Sequence, residues 1–212
     1  MATIASKDTE TAIFGKVRRP VKRMEDLVLA GMALALSAPV MVLIAAAIRV
    51  TSSGPCLFKQ KRHGRDGEAI EIYKFRTMII HEEENHYTQA CKGDNRITRL
   101  GKFLRKTSLD ELPQLLNVVQ GRMSLIGPRP YPCKMDLLYE PKIENYTLRY
   151  KVRPGITGWA QVNGLRGEIR VLDEMKRRVE HDLFYIEQWS LWLDFKILML
   201  TVILGFIHPK AY

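Results

Sequence analysis

Between Leu27 and Ile48 the chain carries no charged residue. An apolar run of that length, at about 1.5 Å per helical residue, is enough to cross the roughly 30 Å hydrocarbon core of a bilayer. It starts too far into the chain and is too long for the apolar part of a cleaved signal peptide, and no small-x-small site closes it. The competing reading is a helix buried in a protein core. Pro39 lies near the middle of the run, where its ring removes one backbone N–H and crowds the preceding turn, so a kink or break is expected at Ser37 to Pro39. Basic residues flank both ends: Lys16, Arg18, Arg19, Lys22 and Arg23 before it, Arg49, Lys59, Lys61, Arg62 and Arg65 after it. The positive-inside tendency places both ends on the cytoplasmic face. A helix that enters, breaks at Pro39 and returns satisfies this better than a straight kinked span, which remains the alternative.

Near the other end, Ile197 to Ile207 is apolar but about half the length of a span, with Trp189, Trp192, Asp194 and Lys196 just before it. This pattern suits an amphipathic helix lying in the membrane interface, or equally a terminal helix packed on a core. Lys and Arg total 33 against 23 acids, a formal charge of +10. Such a balance selects polyanionic partners: nucleic acid, anionic lipid or a phosphorylated substrate. Cys56, Cys91 and Cys133 are odd in number and widely spaced, which fits neither a disulfide framework nor a paired metal motif and points to a reducing compartment.

In the middle of the chain, Ser52 to Pro55 forms a turn cluster closing the apolar segment. Cys56 to Gln60 and Ala69 to Phe75 read as strands of a small hairpin around Gly64 to Gly67. His81 and His86 are five apart and miss the i, i+4 face of a helical zinc motif, so the acidic stretch between them reads as a solvated loop. Arg96 to Lys106 has the spacing of a short basic helix. Arg153 to Gly167 reads as a glycine-rich loop region, too rich in glycine for a long helix and without the spacing of any nucleotide fingerprint. No Walker loop is present, so phosphate chemistry here would draw its energy from the donor itself.

The segment RKTSLDELPQLLN, from Arg105 to Asn117, places adjacent carboxylates Asp110 and Glu111 just after Arg105 and Lys106. An aspartate is already anionic at neutral pH and needs no base to act as a nucleophile. Attack on a diphosphate brings like charges together, which magnesium and guanidinium groups relieve. Against this, Ser108 and Glu111 match a capping box, in which the acids would only start a helix. Pro113 fits poorly with that version, because proline favours the first helical position. In GPRP, Gly127 to Pro130, prolines flank Arg129 and restrain it for bidentate phosphate recognition, or else form a rigid turn with an incidental arginine. Lys74 and Arg76 in YKFRTM alternate with Tyr73 and Phe75, as on a strand with a basic and an aromatic face. That pattern alone suits nucleic-acid binding equally well, but no recognised DNA or RNA module surrounds it, and nucleic acid is not an expected partner.

Together, YKFRTM at 73 to 78, RLGKFLRKTSLDELPQLLNV at 99 to 118, MSLIGPRP at 123 to 130, RPGITGWAQVNG at 153 to 164 and WSLWLDFKI at 189 to 197 resemble the monotopic bacterial phosphoglycosyl transferases. The likeness runs from about Lys22 to the C-terminus. It implies that Asp110 attacks the β-phosphate of a UDP-sugar, releasing UMP and leaving a sugar-phosphoryl aspartate that polyprenyl phosphate then attacks. It implies Glu111 as the second acid of the dyad, assisting the acceptor step. Arg105 matches the phosphate-positioning arginine and Arg129 with Pro130 the nucleotide contact; the basic Lys74 and Arg76 are further candidate substrate-binding residues. Magnesium, reached through Asp110, is the implied cofactor. The resemblance further implies a re-entrant membrane helix with its break at Ser37 and Pro39. Relatives commonly have serine directly before that proline, whereas Ala38 stands there in this chain.

The expected fold is α+β, mainly helical with a small β hairpin, an N-terminal re-entrant helix and interfacial amphipathic helices. The expected parts are a flexible basic segment over 1–20, the membrane helix over 21–50 and a catalytic domain over 51–212. Larger relatives carry an N-terminal multi-span region, so this chain resembles the minimal catalytic form. The resemblance places the activity in the exopolysaccharide-initiating branch, moving glucose- or galactose-1-phosphate to undecaprenyl phosphate at the cytoplasmic face of the bacterial inner membrane. Membrane lipids and downstream glycosyltransferases are the remaining implied partners. Two other functions fit the residues taken alone: a membrane-bound lipid pyrophosphatase using the same acids to activate water, and a non-catalytic basic membrane-binding protein.

Overall fold

The computed structural model describes residues 19–79 and 93–207. The expectations for residues 1–18 and for His81, His86 and Cys91 lie outside these described residues. Helix α1 (Arg19–Thr51) is followed by strands β1 (Leu57–His63) and β2 (Ala69–Phe75), then helix α2 (Arg99–Thr107), a 3₁₀ turn (Leu109–Glu111) and helix α3 (Gln114–Val119). Next come strand β3 (Ser124–Ile126), helix α4 (Cys133–Tyr139), a 3₁₀ segment (Tyr146–Lys151) and strand β4 (Gly155–Thr157). The short helix α5 (Trp159–Val162) and the long helices α6 (Leu172–Gln188) and α7 (Leu191–Ile207) complete the order. The mainly helical α+β class expected from the sequence is therefore present.

Among the described residues, α1 is the one helix long and apolar enough to cross a membrane, and only 11% of its most apolar window is buried. Leu36 is 82% exposed, and Val42 and Leu43 are exposed as well, which excludes the reading of a helix buried in the protein core. The helix continues without interruption through Pro39. The expected break is thus not a gap in helical structure. One proline deletes one i→i−4 bond, and the turns on either side hold the helix together; Ser37 Oγ also donates to the Leu34 carbonyl at 3.4 Å.

Contacts between α1 and the rest of the protein fall at its two ends. At the first, Lys22 Nζ lies 2.9 Å from Asp194 Oδ2 and 3.2 Å from Asp26 Oδ1. Asp26 Oδ1 accepts from Ser124 Oγ at 2.8 Å and from the Leu125 N–H at 3.0 Å. Arg23 caps α3 by donating to the carbonyls of Val118 and Val119 at 2.6 and 2.8 Å. Ala30 then joins the main core with Val118, Met123, Ile126, Ile186 and Ile197. At the other end, Ile44 and Ile48 pack with Phe75 and Leu104. Leu112 packs against both clusters.

The hairpin forms as expected, with β1 extending three residues further than Gln60. Antiparallel pairing runs from Leu57 opposite Phe75 to His63 opposite Ala69. The glycine-rich stretch after Arg153 is partly a strand. Within it, β4 pairs in parallel with β3, Ser124 opposite Gly155 and Ile126 opposite Thr157. Glycine is required there for contact: a Cβ on Gly155 would lie 2.1 Å from the Gly127 nitrogen, and one on Gly158 2.2 Å from the Gly127 carbonyl oxygen. Helix α7 divides between the two sequence readings of the C-terminal segment. Its Asp194 and Ile197 are fully buried against the core, whereas Trp192, Phe195, Met199, Val202 and Ile203 form an exposed apolar stripe.

Backbone-to-backbone packing of this kind yields little to an added methyl group. Gly155→Ala is expected to lose about 1–3 kcal/mol or more, read as a lowered unfolding midpoint of the purified protein. Gly31→Ala on α1, where an added Cβ meets nothing within 4 Å, is expected to be neutral or stabilising.

Candidate active site

The acidic pair is positioned by an abrupt change of helix direction. Ser108 ends α2 in the left-handed conformation (φ 58°, ψ 14°), and its N–H donates to the Arg105 carbonyl at 3.2 Å. The chain turns there into the 3₁₀ turn that carries Asp110 and Glu111, and Pro113 then starts α3. The capping-box reading is not realised. An N-cap serine needs an extended backbone, and at positive φ Ser108 makes no side-chain cap. Its Oγ instead accepts from Arg166 Nη2 at 2.7 Å.

Glu111 is only 8% exposed, and its Oε1 accepts from two cations, Lys74 Nζ at 2.7 Å and Arg129 Nη2 at 2.8 Å. Burial alone would raise its pKa, but Arg129 and Lys74 outweigh that and hold the carboxyl well below the usual glutamate range. The Lys74 ammonium shifts down, chiefly because burial disfavours its charge, although Glu111 opposes the shift. Asp110 is equally buried, yet its carboxylate makes no hydrogen bond to any described side chain. Burial raises its pKa, Lys74 opposes that, and the Glu111 charge adds to the rise. The two adjacent acids therefore differ: one is locked as an anion between two cations, and the other is held buried and unpaired.

Four cations act on the pair: Lys74, Arg105, Arg129 and Arg166. Lys74 comes from the end of β2. Arg105 is braced by its Nε donating to Thr77 Oγ1 at 2.9 Å. That brace requires α2 to pack directly on Thr77, where a Cβ on Gly101 would lie 2.1 Å from the Thr77 carbonyl oxygen. The turn carrying Arg129 is held at several backbone points. The Gly127 N–H donates to Thr157 O and the Gly155 N–H to Pro128 O, both at 2.9 Å. Arg149 Nη2 donates to the Arg129 carbonyl and Arg62 Nη1 to the Pro130 carbonyl, both at 2.7 Å. The flanking prolines thus act within a cross-linked turn, with the Arg129 side chain directed to Glu111.

Arg76 does not join the group. Strand β2 ends at Phe75, so the alternation that placed Lys74 and Arg76 on one face stops before Arg76. Its guanidinium donates to the Ser53 carbonyl, to Ser52 O at 3.1 Å and to Ser52 Oγ at 2.9 Å, fastening the exit of α1. Arg166, Thr77 and Asn117 belong to the site or its frame without having been singled out in sequence. Asn117 is fully buried, donating to the Glu71 carbonyl at 2.8 Å and accepting from the Tyr73 N–H at 2.9 Å. It ties α3 to the edge of β2 and so sets Lys74 opposite Glu111. A polar asparagine between Leu115, Leu116, Val118 and Val119 was the available signal. Arg166 had none, since its approach depends on the loop after α5.

Among the described residues no three His, Cys, Asp or Glu side chains cluster closely enough to cage a metal. Magnesium does not require such a cage; one carboxylate plus substrate phosphate oxygens and water is a usual arrangement. The unpaired Asp110 carboxylate fits that mode, whereas Glu111 is already occupied.

The family model described as bacterial sugar transferase matches residues 17–208. The UDP-glucose:undecaprenyl-phosphate glucose-1-phosphate transferase of Escherichia coli strain K12 is 52% identical over 92% of this chain, which spans 42% of that relative's length. A protein of the same name from Caulobacter vibrioides is 49% identical over 85% of this chain and 68% of its own length. The exopolysaccharide production protein PSS of Rhizobium leguminosarum bv. phaseoli is 40% identical over 91% of this chain and 98% of its own length. A match over nearly the whole chain, with the paired acids and their cations gathered in one place, establishes that the chain belongs to the bacterial sugar transferase family.

Proposed function

We propose that this chain transfers a hexose-1-phosphate, glucose or galactose, from a UDP-sugar to undecaprenyl phosphate as the first membrane step of exopolysaccharide assembly. The observation that carries the reading is the unpaired, buried Asp110 carboxylate beside a Glu111 that two cations hold. Four cations face two carboxylates, leaving an excess of positive charge suited to a diphosphate. The glucose-1-phosphate transferase names of relatives about half identical to this chain support the substrate class.

In this mechanism an Asp110 oxygen forms a bond to the β-phosphorus of the UDP-sugar. The bond from that phosphorus to the bridging oxygen breaks, and UMP leaves with the electron pair. An oxygen of undecaprenyl phosphate then attacks the sugar-phosphoryl aspartate, and Asp110 departs as a carboxylate. Arg129, Lys74, Arg105 and Arg166 stabilise the phosphate oxygens as charge shifts among them. Magnesium held through Asp110 would neutralise phosphate charge as a Lewis acid. Glu111 can assist the acceptor step once incoming phosphates compete for Lys74 and Arg129 and loosen its two ion pairs. Arg76, engaged by backbone carbonyls, supports the frame of the site.

The reading includes a re-entrant α1 with both ends on the cytoplasmic face of the inner membrane and the catalytic part beginning near residue 51. Support comes from α1 residues 29–34 and 41–48 packing into clusters that share Leu112, while residues 35–40 around Pro39 are largely exposed. A straight span would carry those two clusters to opposite sides of a bilayer. The exposed stripe on α7 supports an interfacial position for that helix.

Purified protein given UDP-glucose or UDP-galactose, magnesium and undecaprenyl phosphate should release UMP and form lipid-linked sugar. Asp110→Asn should lower UMP release on the order of 10⁴-fold; full activity in that variant removes the nucleophile assignment. Free sugar phosphate in place of a lipid product would instead indicate the pyrophosphatase.

The pH dependence follows from the raised Asp110 pKa, because the attacking group is the anion. UMP release should fall as pH drops through that pKa, with an acid limb above the roughly 3.9 of a free aspartate. Glu111→Gln removes a neighbouring negative charge and frees two cations, so it should move the limb to lower pH. A rapid-quench pH profile measures both.

For topology, cysteines introduced near residues 10 and 60 should label from the same side of sealed vesicles. Labelling from opposite sides overturns the re-entrant arrangement.

A further inference from the structure

Helix α6 supplies neither the acidic pair nor any of the four cations around it, yet the face it buries carries two charges. Among Met175, Val179, Tyr185 and Ile186, the buried Arg178 and Asp182 stand one helical turn apart. Apolar residues of similar volume in place of a buried ion pair are often neutral or stabilising. Packing alone therefore gives no reason for charges on this face, and both of them lead to the backbone of the acidic site.

Asp182 Oδ2 accepts from Arg149 Nε at 2.8 Å, and the same guanidinium donates through Nη2 to the Arg129 carbonyl at 2.7 Å. The guanidinium carbon of Arg149 lies 4.8 Å from the centre of the Tyr131 ring and 5.0 Å from that of Tyr146, so two aromatic rings restrain it. Tyr146 is itself held, its hydroxyl donating to Asp136 Oδ1 at 2.6 Å. One turn earlier on α6, Arg178 Nη2 donates to the Gly167 carbonyl at 3.0 Å. Gly167, at φ 101°, directly follows Arg166, whose own guanidinium reaches Ser108 beside the acidic pair. One face of α6 thus fastens the main chain at Arg129 and next to Arg166.

We propose that Asp182 and Arg178 are positioning residues: Asp182, through Arg149, sets the Arg129 guanidinium against the acidic pair, and Arg178 sets that of Arg166. The ligand both arginines serve, the diphosphate of a UDP-sugar, rests on the transferase reading; the contacts that hold them do not. Arginine is required at position 149 because its fork donates to a carboxylate and a carbonyl at once, which a single ammonium does not reproduce.

The test is a set of double-mutant cycles on the full chain in detergent, read by UDP affinity in calorimetry and by kcat for UMP release from UDP-glucose. Arg149→Met with Asp182→Leu removes both charges of the pair together, and its unfolding midpoint should stay near that of wild type. Its UDP affinity should fall on the order of tenfold, as should that of Arg129→Gln, and combining the two should add little further loss. Arg178→Met should couple in the same way to Arg166→Gln, whereas the losses from Arg178→Met and Arg129→Gln should multiply. The kcat values should follow the same pattern. If the apolar pair does not fold, Arg149→Lys should show the same coupling to Arg129→Gln. Losses that multiply in the matched combinations overturn the proposal, as does UDP affinity unchanged in Arg149→Lys and Arg178→Met, or absent from wild type. If wild type binds UDP and releases no UMP, the transferase reading falls while coupled affinity losses still uphold the positioning.

Discussion

One carboxylate oxygen joins three parts of this protein. Glu111 Oε1 receives Lys74 from strand β2 and Arg129 from the turn after β3, and is itself carried on the 3₁₀ turn after α2. Bringing three charged groups out of water is unfavourable unless each is matched, so the contact imposes its geometry on the elements around it. Asn117 holds α3 to the edge of β2, Gly101 lets α2 lie directly on Thr77, and Gly127, Gly155 and Gly158 bring two backbone segments into contact. With Glu111 satisfied in this way, Asp110 is left as the unpaired member of the pair.

The same principle governs the attachment of α1. An apolar helix about 50 Å long would have no fixed relation to a polar domain if it met that domain only through apolar side chains. Its root is instead fixed by directional contacts. Asp194, with no exposed surface, accepts from Tyr185 and Trp189 and faces Lys22, while Asp26 grips the start of β3. Its far end is held by the guanidinium of Arg76 on the carbonyls of the exit turn. Arg76 lies two residues from Lys74 in sequence, and one strand end thus serves both the acidic site and the long apolar helix α1.

Much of this was legible in sequence because it rests on local rules. The hairpin followed from alternation around a glycine turn, the apolar helix from its length and lack of charge, and the acid pair from adjacency to basic residues. Where the reading differed, a distant partner had intervened. Ser108 matched a cap by spacing, but its backbone is left-handed and its hydroxyl is taken by Arg166. Arg76 matched the basic face of a strand that stops one residue short of it. The stretch after Arg153 resembled a loop because its glycines serve a crossing of backbones, which composition does not distinguish from flexibility.

By itself the sequence determined which segments are apolar, which residues can carry the chemistry and where the chain must turn, because hydrophobic run length, side-chain charge and backbone freedom are local properties. Only the tertiary structure decided that Glu111 is the paired acid and Asp110 the free one, that Arg166 belongs with them, and that both ends of α1 rest on one domain. Those outcomes depend on burial and on which charges meet across many residues of intervening chain. Electrostatic energy is set by distance and local dielectric, and neither is defined until the chain has folded.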